Sequence, residues 1–202
     1  MHILIVAATA AEIQALTEHY GDDKPFDVLV TGVGMVATAF ALGRHLDTKK
    51  YDLAINLGIA GSFDRNIALG DVVEITADHI AELGAQDDEL FIPIETLGFG
   101  ESCFHATKAI TQLKQVKAIT VNTVHGHEDS IAKISHRLQP QLESMEGAAF
   151  FYACNQAGVA CAQIRAVSNY VEKRNRDAWK IGPAIKNLNS FAIDLLNGLL
   201  AT

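Results

Sequence analysis

Two carboxylates and one amide in this sequence lie where predicted helices begin or a predicted strand ends, at positions where side chains can do chemistry. Glu12 lies in the first turn of a predicted helix, directly after the first apolar run. Glu146 begins a second predicted helix, whose other residues are mostly small or aromatic, and Asn169 follows the last apolar run. A carboxylate so placed can act as a general base or accept hydrogen bonds from hydroxyl groups, whereas an amide can recognise the polar edge of a ring.

Two of these residues also have a purely structural interpretation. An acid in the first turn of a helix, as at Glu12, is stabilised by the helix dipole, and Asn169 belongs to a residue type that is common in turns. Glu146 is harder to explain in this way, because a carboxylate among apolar side chains needs hydrogen-bond donors if it is buried. A diol such as that of a ribose would supply two.

Short apolar runs alternate with helical patterns along the chain and would position these groups. The runs predict β-strands at 3–7, 27–31, 53–57, 71–75, 118–122 and 160–167. Helices are predicted at 10–20, 35–46, 129–138, 145–156 and 183–200, and a loop at 85–102. The alternation predicts an α/β fold, a single domain over residues 1–202 with a central mixed, largely parallel β-sheet flanked by helices. Such sheets bind ligands at the carboxyl ends of their strands.

The glycines after the second strand match a weak form of a dinucleotide-binding fingerprint, G-x-G-x-x-A, at Gly32, Gly34 and Ala37. A dinucleotide site would have this motif after the first strand and an acidic residue after the next one. Here the next strand ends in Asn56-Leu57-Gly58. We therefore interpret the glycines as a tight turn that packs a helix on the sheet, and we expect no cofactor.

The spacing of cysteines and histidines does not favour a metal site. The three cysteines are Cys103, Cys154 and Cys161. They form no C-x-x-C pair and predict free thiols in a reducing compartment. His125 and His127 flank a glycine but have no third ligand nearby in the sequence. The segment instead predicts a polar loop that caps the following helix through Asp129 or Ser130, with no metal bound.

The composition narrows the range of partners. The chain has a formal net charge of −8 and no basic stripe, which disfavours nucleic acid as a partner. No apolar run is long enough to cross a membrane. The N-terminus lacks the positive segment and apolar stretch of a signal peptide. We therefore expect a cytoplasmic protein with no membrane partner.

Six segments together resemble the nucleoside phosphorylase/nucleosidase superfamily. They are the first strand leading to Glu12 and the segments 32–34, 56–61, 69–73, 144–149 and 165–169. The resemblance spans nearly the whole chain, and Met-Glu-Gly-Ala-Ala at 145–149 and Arg-Ala-Val-Ser-Asn at 165–169 are its most specific parts. Within the superfamily, residues 145–151 and 168–176 look most like the futalosine hydrolases, which release hypoxanthine from futalosine in a menaquinone pathway.

The resemblance implies roles for individual residues. Glu12 would be the general base that activates water, and Asn169 would be the second catalytic residue, holding the edge of the purine. Glu146 would bind the ribose hydroxyls, Met145 would pack under the sugar, and Arg165 would support the base site. The remaining substrate-binding residues would be Ala60, Gly61, Thr123 and Val124. Neither a metal nor a cofactor is implied.

Three departures from the superfamily's pattern discriminate among its members. The arginines that hold phosphate in phosphorylases are replaced by the residues at 8–11 and by Asn56, which favours water as the nucleophile. Adenine-releasing nucleosidases carry Asp at the position of Asn169, and an amide donor suits the carbonyl oxygen of hypoxanthine better. Ser144 stands where the family has the first acid of Glu-Met-Glu.

The resemblance leaves alternatives open. A methylthioadenosine/S-adenosylhomocysteine nucleosidase would release adenine, and a non-catalytic nucleoside-binding protein on the same fold would have no use for Glu12. Arg44, His105 and Arg174 could each hold the carboxylate that futalosine carries beyond its 5′ position. Because the superfamily builds active sites near subunit interfaces, we expect a homodimer or higher homo-oligomer whose substrate is a small purine nucleoside.

Overall fold

The computed structural model describes residues 1–201. The strands are β1 (Ile3–Ala7), β2 (Asp27–Val30), β3 (Leu53–Ser62), β4 (Val72–Ile80), β5 (Gly84–Asp87), β6 (Leu90–Pro93), β7 (Cys103–His105), β8 (Gln115–Thr120), β9 (Leu142–Ser144) and β10 (Cys161–Tyr170). The helices are α1 (Gln14–Tyr20), α2 (Met35–Thr48), α3 (Ile94–Leu97), α4 (Glu128–Leu138), α5 (Gly147–Ala157) and α6 (Ile181–Leu200). The predicted α/β fold with a mixed central sheet is confirmed.

The long strand β3 organises the sheet. Along one side it pairs in parallel with β10 from Ala54 to Ser62. On the other side its first half pairs in parallel with β1, and its last two residues pair antiparallel with β9. Strand β10 pairs with β4, β4 with β8, and β8 with β9. The strands β3, β10, β4, β8 and β9 thus close into a ring, while β1 and β2 extend the sheet from β3.

Alternate residues of β1 face two different helical layers, as the two-residue period of a strand requires. Leu4 and Val6 pack in a cluster with residues of α2 and α5, such as Leu42 and Phe150. Ile3, Ile5 and Ala7 pack in a second cluster with residues of α1 and α6, which include Leu16, Leu188 and Leu196. This burial on both faces explains why β1 reads as a continuous apolar run.

Several predicted boundaries differ from the structure. The segment predicted as a loop at 85–102 contains the hairpin β5–β6 and the short helix α3. The predicted helix 10–20 begins as a 3₁₀ turn at Ala10–Ile13 before α1. Helix α4 begins at Glu128 without a side-chain cap, so the predicted caps Asp129 and Ser130 were wrong. Elements of three or four residues leave too short a pattern to be recognised.

Helix α6 begins at Ile181, with Pro183 in its first turn, where a missing N–H costs no hydrogen bond. It packs against β10, β3 and α1. None of the described helices is long and apolar enough to cross a membrane. The strand ends that matter most for the site are those of β1, β3 and β10, which are neighbours in the sheet.

Candidate active site

A cavity of about 370 Å³ opens at the carboxyl ends of β1, β3 and β10. It is lined by Ala8, Thr9, Ala11, Glu12, Val33, Ile59, Ala60, Gly61, Val124, His125, Glu143, Ser144, Met145, Glu146, Ser168, Asn169, Trp179, Ile181 and Ile185. This is the edge at which ligands bind to α/β sheets. The lining is largely apolar with a few converging polar groups, which is typical of a small-molecule site.

Glu12 reaches back from its 3₁₀ turn to the chain that precedes it. One carboxylate oxygen accepts hydrogen bonds from the backbone N–H of Thr9 at 3.0 Å and from its hydroxyl at 3.1 Å. The other accepts from the backbone N–H of Ile59, in the second half of β3, at 3.1 Å. The residue is buried yet lines the cavity. The carboxylate is therefore held in one orientation. A general base needs such a fixed position relative to the group from which it takes a proton.

The turn that carries Glu12 is fixed by helix α6. The buried amide of Asn189 donates to the backbone carbonyl of Glu12 at 2.8 Å and accepts from the backbone N–H of Leu16 at 2.8 Å. Each of these backbone groups would be costly to leave unpaired in the core. The long C-terminal helix thus positions a residue 177 positions away in the sequence.

Arg165 lies behind the cavity wall. Its guanidinium donates from Nε to Gln163 at 2.8 Å and from Nη2 to Asn56, and its side chain is almost wholly buried. Gly58 makes this placement possible, because a Cβ there would lie 2.0 Å from Nη1 of Arg165 and 2.9 Å from Oε1 of Glu12. Arg165 does not line the cavity. It therefore does not contact a ligand there directly, and it supports the wall beside Glu12 instead.

Glu146 is held by the glycine turn. Its Oε1 accepts from the backbone N–H of Gly34 at 2.9 Å. Gly34 has φ +97° and ψ 161°, a conformation that is essentially limited to glycine. The G-x-G turn therefore presents a backbone donor to a carboxylate of this chain, and the interpretation as a packing turn, not a dinucleotide site, fits this contact.

Asn169 is oriented by its neighbours. Its Oδ1 accepts from the hydroxyl of Ser168 at 2.9 Å, and its Nδ2 donates to the carbonyl of Tyr170 at 3.0 Å. Gly61 lies beside it in β3, and a Cβ there would come within 3.1 Å of Nδ2. The amide is held over the floor of the cavity formed by Ala60 and Gly61, with one N–H left for a ligand.

His125 and Glu143 form a pair in the same cavity. Nδ1 of His125 is hydrogen-bonded to Oε2 of Glu143, and the backbone N–H of His125 donates to Oε1 at 2.9 Å. The Glu143 side chain is 3% exposed and that of His125 is 16% exposed. Burial raises the pKa of the Glu143 carboxyl above its ordinary value, against the opposing effect of the hydrogen bonds from His125.

A buried polar chain underlies the site. Asp78 accepts from the hydroxyl of Thr120 at 2.8 Å and from the amide of Gln163 at 3.1 Å. Gln163 in turn accepts from Arg165, and the Thr120 hydroxyl accepts from the backbone N–H of Ala148 at 2.7 Å, in the first turn of α5. Burial raises the pKa of Asp78 to about 6. The chain links the wall beside Glu12 to the helix that follows Glu146.

The structure brings together most of the residues that the sequence singled out. The cavity is lined by Glu12, Ala60, Gly61, Val124, Met145, Glu146 and Asn169. Thr123 is exposed and does not line it. His125, Glu143 and Trp179 carried no catalytic or binding prediction, because their contacts join distant parts of the chain.

The fold agrees with comparisons to known proteins. Residues 2–201 match the sequence model of the family described as the Phosphorylase superfamily. The chain belongs to this superfamily. It is 34% identical over 212 residues to the futalosine hydrolase of Acidothermus cellulolyticus, an alignment that covers 92% of this chain and 86% of the relative. The resemblance to the futalosine hydrolases found in the sequence is confirmed.

Other members of the superfamily are also similar to this chain. The 5′-methylthioadenosine/S-adenosylhomocysteine nucleosidase of Colwellia psychrerythraea is 27% identical over 95% of this chain and 88% of its own length. The native structure of futalosine hydrolase from Helicobacter pylori superposes with a TM-score of 0.85, covering 98% of each chain at 14% identity. At that identity the superposition supports the shared phosphorylase-superfamily fold.

Proposed function

We propose that this protein is a hydrolase that cleaves the N-glycosidic bond of futalosine, releasing hypoxanthine and dehypoxanthinyl futalosine. The reaction would take place in the cytoplasm as a step of menaquinone formation. The observation that carries the proposal is the amide of Asn169, which stands over the cavity floor where the adenine-releasing nucleosidases carry Asp. An amide N–H donor complements the carbonyl oxygen of hypoxanthine, whereas the exocyclic group of adenine is itself a donor.

The lining of the cavity supports water as the nucleophile. Among the described residues, those lining the cavity include neither Arg nor Lys. Asn56, at one position where phosphorylases carry a phosphate-binding arginine, is buried and donates to the carbonyl of Val6 at 3.2 Å. A phosphate would lack the charge-assisted hydrogen bonds that usually bind it. Glu12 can instead orient a water molecule and accept its proton.

The positions of the three polar residues support a dissociative mechanism. As the bond between C1′ and N9 stretches, the sugar gains positive charge and the base gains electron density. Glu146 would bind the ribose hydroxyls and Met145 would pack beneath the ring, so that the sugar is oriented for attack. Glu12 would deliver water to C1′, and the amide of Asn169 would stabilise the charge that develops on the base.

Arg174 is the best placed of the three residues that could hold the carboxylate of futalosine. Its guanidinium lies 5.2 Å from the ring centre of Trp179, a cavity-lining residue, and it forms no ion pair within the described chain. Arg44 lies over Phe40 on α2, and His105 contacts Cys103, both away from the cavity lining. An Arg174→Ala variant should raise KM for futalosine but not for inosine.

An exposed apolar surface supports assembly into a homodimer. Val33, Val36 and Phe40 are 56%, 81% and 66% exposed, and Val33 also lines the cavity. Solvent exposure of such a patch is unfavourable, and patches of this kind commonly mark interfaces. We infer that a second copy of the chain covers this surface beside the cavity. Analytical ultracentrifugation of the parent and of a Val36→Glu variant tests the dimer. A parent that sediments as a dimer and a variant that sediments as a monomer would support this interface.

The experiment that tests the function is incubation of the purified protein in phosphate-free buffer with futalosine, methylthioadenosine or inosine. Chromatography identifies the base released from each. Hypoxanthine from futalosine supports the proposal. Adenine from methylthioadenosine with futalosine untouched would favour the related nucleosidase, and binding of futalosine without release of any base would favour a nucleoside-binding protein.

A further inference from the structure

The proposed reaction leaves one chemical requirement unassigned. A purine anion is a poor leaving group, so the base must receive a proton as the glycosidic bond breaks. The amide of Asn169 is too weak an acid to supply it. Of the titratable residues that line the cavity, Glu12 and Glu146 are already occupied with water and the sugar. The others in the described lining are His125 and Glu143.

The ring of His125 is held in one orientation by Glu143. This carboxylate contacts both the backbone N–H and Nδ1 of His125, so the loop and the ring are fixed together. The ring of Phe63 lies edge-on to the imidazole at 6.4 Å. Nε2 of His125 has no hydrogen-bond partner among the residues that the structure describes. A carboxylate behind one imidazole nitrogen and a free second nitrogen is the arrangement by which histidine transfers protons in enzymes.

The pair lies across the cavity floor from Asn169. Gly61 of β3 pairs with Glu143 of β9 on one side and with Asn169 of β10 on the other. Adjacent strands are about 4.8 Å apart, so the Cα atoms of Glu143 and Asn169 are roughly 10 Å apart, with Gly61 between them. A base lying over Gly61 would have the amide on one edge and the imidazole near the other.

We propose that His125 is the general acid that protonates the leaving purine and that Glu143 positions the imidazole. This inference rests on the proposed function. The bond between Nε2 and its proton breaks as a ring nitrogen of the base takes that proton, and the electron pair of the glycosidic bond passes to the base. The water oxygen bonds to C1′ and its proton passes to Glu12. His125 regains a proton from solvent and Glu12 releases one.

The electrostatic surroundings of His125 suit a group that cycles through a positive charge. Glu143 stabilises the imidazolium directly through Nδ1. The carboxylate of Glu82, which follows β4, raises the pKa of Glu143 by charge repulsion. Glu146 lines the same cavity at the start of α5. Each of these neighbours is an acid, and no Arg or Lys lies in the described lining. One cation lies close to the same loop: Arg174 donates its backbone N–H to the carbonyl of Gly126 at 3.3 Å, and its guanidinium lies over the ring of Trp179.

The test compares two substrates that share one sugar. The first is futalosine, and the second is a 4-nitrophenyl glycoside of the same 5′-substituted ribose, whose leaving group departs without a proton. For His125→Gln we expect kcat to fall about 10²–10⁴-fold on futalosine and less than about threefold on the nitrophenyl glycoside. Glu12→Gln should impair both substrates, because both need activated water. The matched control is His127→Gln, which changes an exposed neighbour outside the cavity lining.

Two results would overturn the assignment of His125. One is an unchanged rate on futalosine, and the other is an equal loss on both substrates, which would mean that the variant had damaged the site as a whole. Failure of the unmodified protein to release hypoxanthine would contradict the proposed function instead. For Glu143→Gln we expect a smaller loss of kcat on futalosine than for His125→Gln, with KM retained and the rate on the nitrophenyl glycoside little changed, because the carboxylate acts only by orienting the imidazole. An unchanged kcat on futalosine, or an equal loss on both substrates, would contradict the role of Glu143.

Discussion

At the scale of single residues, the site orients its acids with backbone N–H groups. Glu12 is held by the N–H groups of Thr9 and Ile59, and Glu146 by that of Gly34. Glu143 also accepts the backbone N–H of His125, in addition to its pairing with the imidazole. A backbone donor fixes the direction of a carboxylate and carries no net charge itself. The acids therefore remain able to accept protons or hydroxyl hydrogens from a ligand.

Replacement of Glu12 by Gln tests the role of the general base. The amide keeps the size of the side chain but cannot take the proton of water, so kcat should fall about 10²–10⁴-fold while affinity for the substrate is retained. Steady-state kinetics and a separate binding measurement distinguish the two effects. Glu18→Gln, on the exposed side of α1, is the matched control. Loss of affinity with unchanged kcat would assign Glu12 to binding.

At the scale of elements, the connection between β2 and α2 reaches across to Glu146, the residue proposed to bind the sugar. Its glycine turn gives Glu146 a hydrogen bond, and α2 then packs against α5, the helix that follows Glu146. The pattern G-x-G-x-x-A was visible in the sequence, but its partner was not, because the two segments are 112 positions apart. Packing of the sheet and helices brings them together.

Replacement of Gly34 by Ala should weaken sugar binding. The native conformation, with φ +97°, is unfavourable for alanine by roughly 1–3 kcal/mol, although no atom lies within 4 Å of the added Cβ. The turn would shift, and KM should rise as Glu146 loses its donor. Gly43→Ala in α2 is the control, because it also has open space and an ordinary φ. Equal kinetics for the two variants would exclude this role of the turn.

At the scale of the whole molecule, the sequence predicted the elements with long patterns and the residues at strand ends. Strands buried on both faces, such as β1, leave a continuous apolar signal. The strands β7 and β9 are three residues long and leave none. The burial of Arg165, the exposure of Thr123 and the pairing of His125 with Glu143 depend on how distant strands meet, so local patterns could not predict them.

Ionisation of the buried acid Asp78 makes the free energy of unfolding depend on pH. Its folded pKa of about 6 lies above the ordinary value of 3.8 because of burial, so the folded state binds this proton more tightly than the unfolded state does. The resulting stability is present below pH 4 and is lost as pH rises through 6, by up to about 3 kcal/mol.

Urea unfolding of the parent and of Asp78→Asn between pH 4 and 7 measures this contribution. As pH rises, the free energy of unfolding of the parent should fall relative to that of Asp78→Asn, because the amide of the variant does not ionise. Asp47→Asn, at an exposed position of α2, should follow the parent throughout. Parallel curves for the parent and Asp78→Asn would show that Asp78 does not titrate in this range.

The most direct test of the selection of hypoxanthine by Asn169 uses futalosine and its 6-amino analogue, which differ only at the 6 position of the base. Relative kcat/KM values are measured for the parent and for Asn169→Asp. We predict that the parent prefers futalosine and that the variant shifts the ratio toward the amino analogue by about 10–100-fold, as expected for exchanging one matched and one mismatched hydrogen bond. A parent that prefers the amino analogue, or a ratio unchanged by the substitution, would contradict the account.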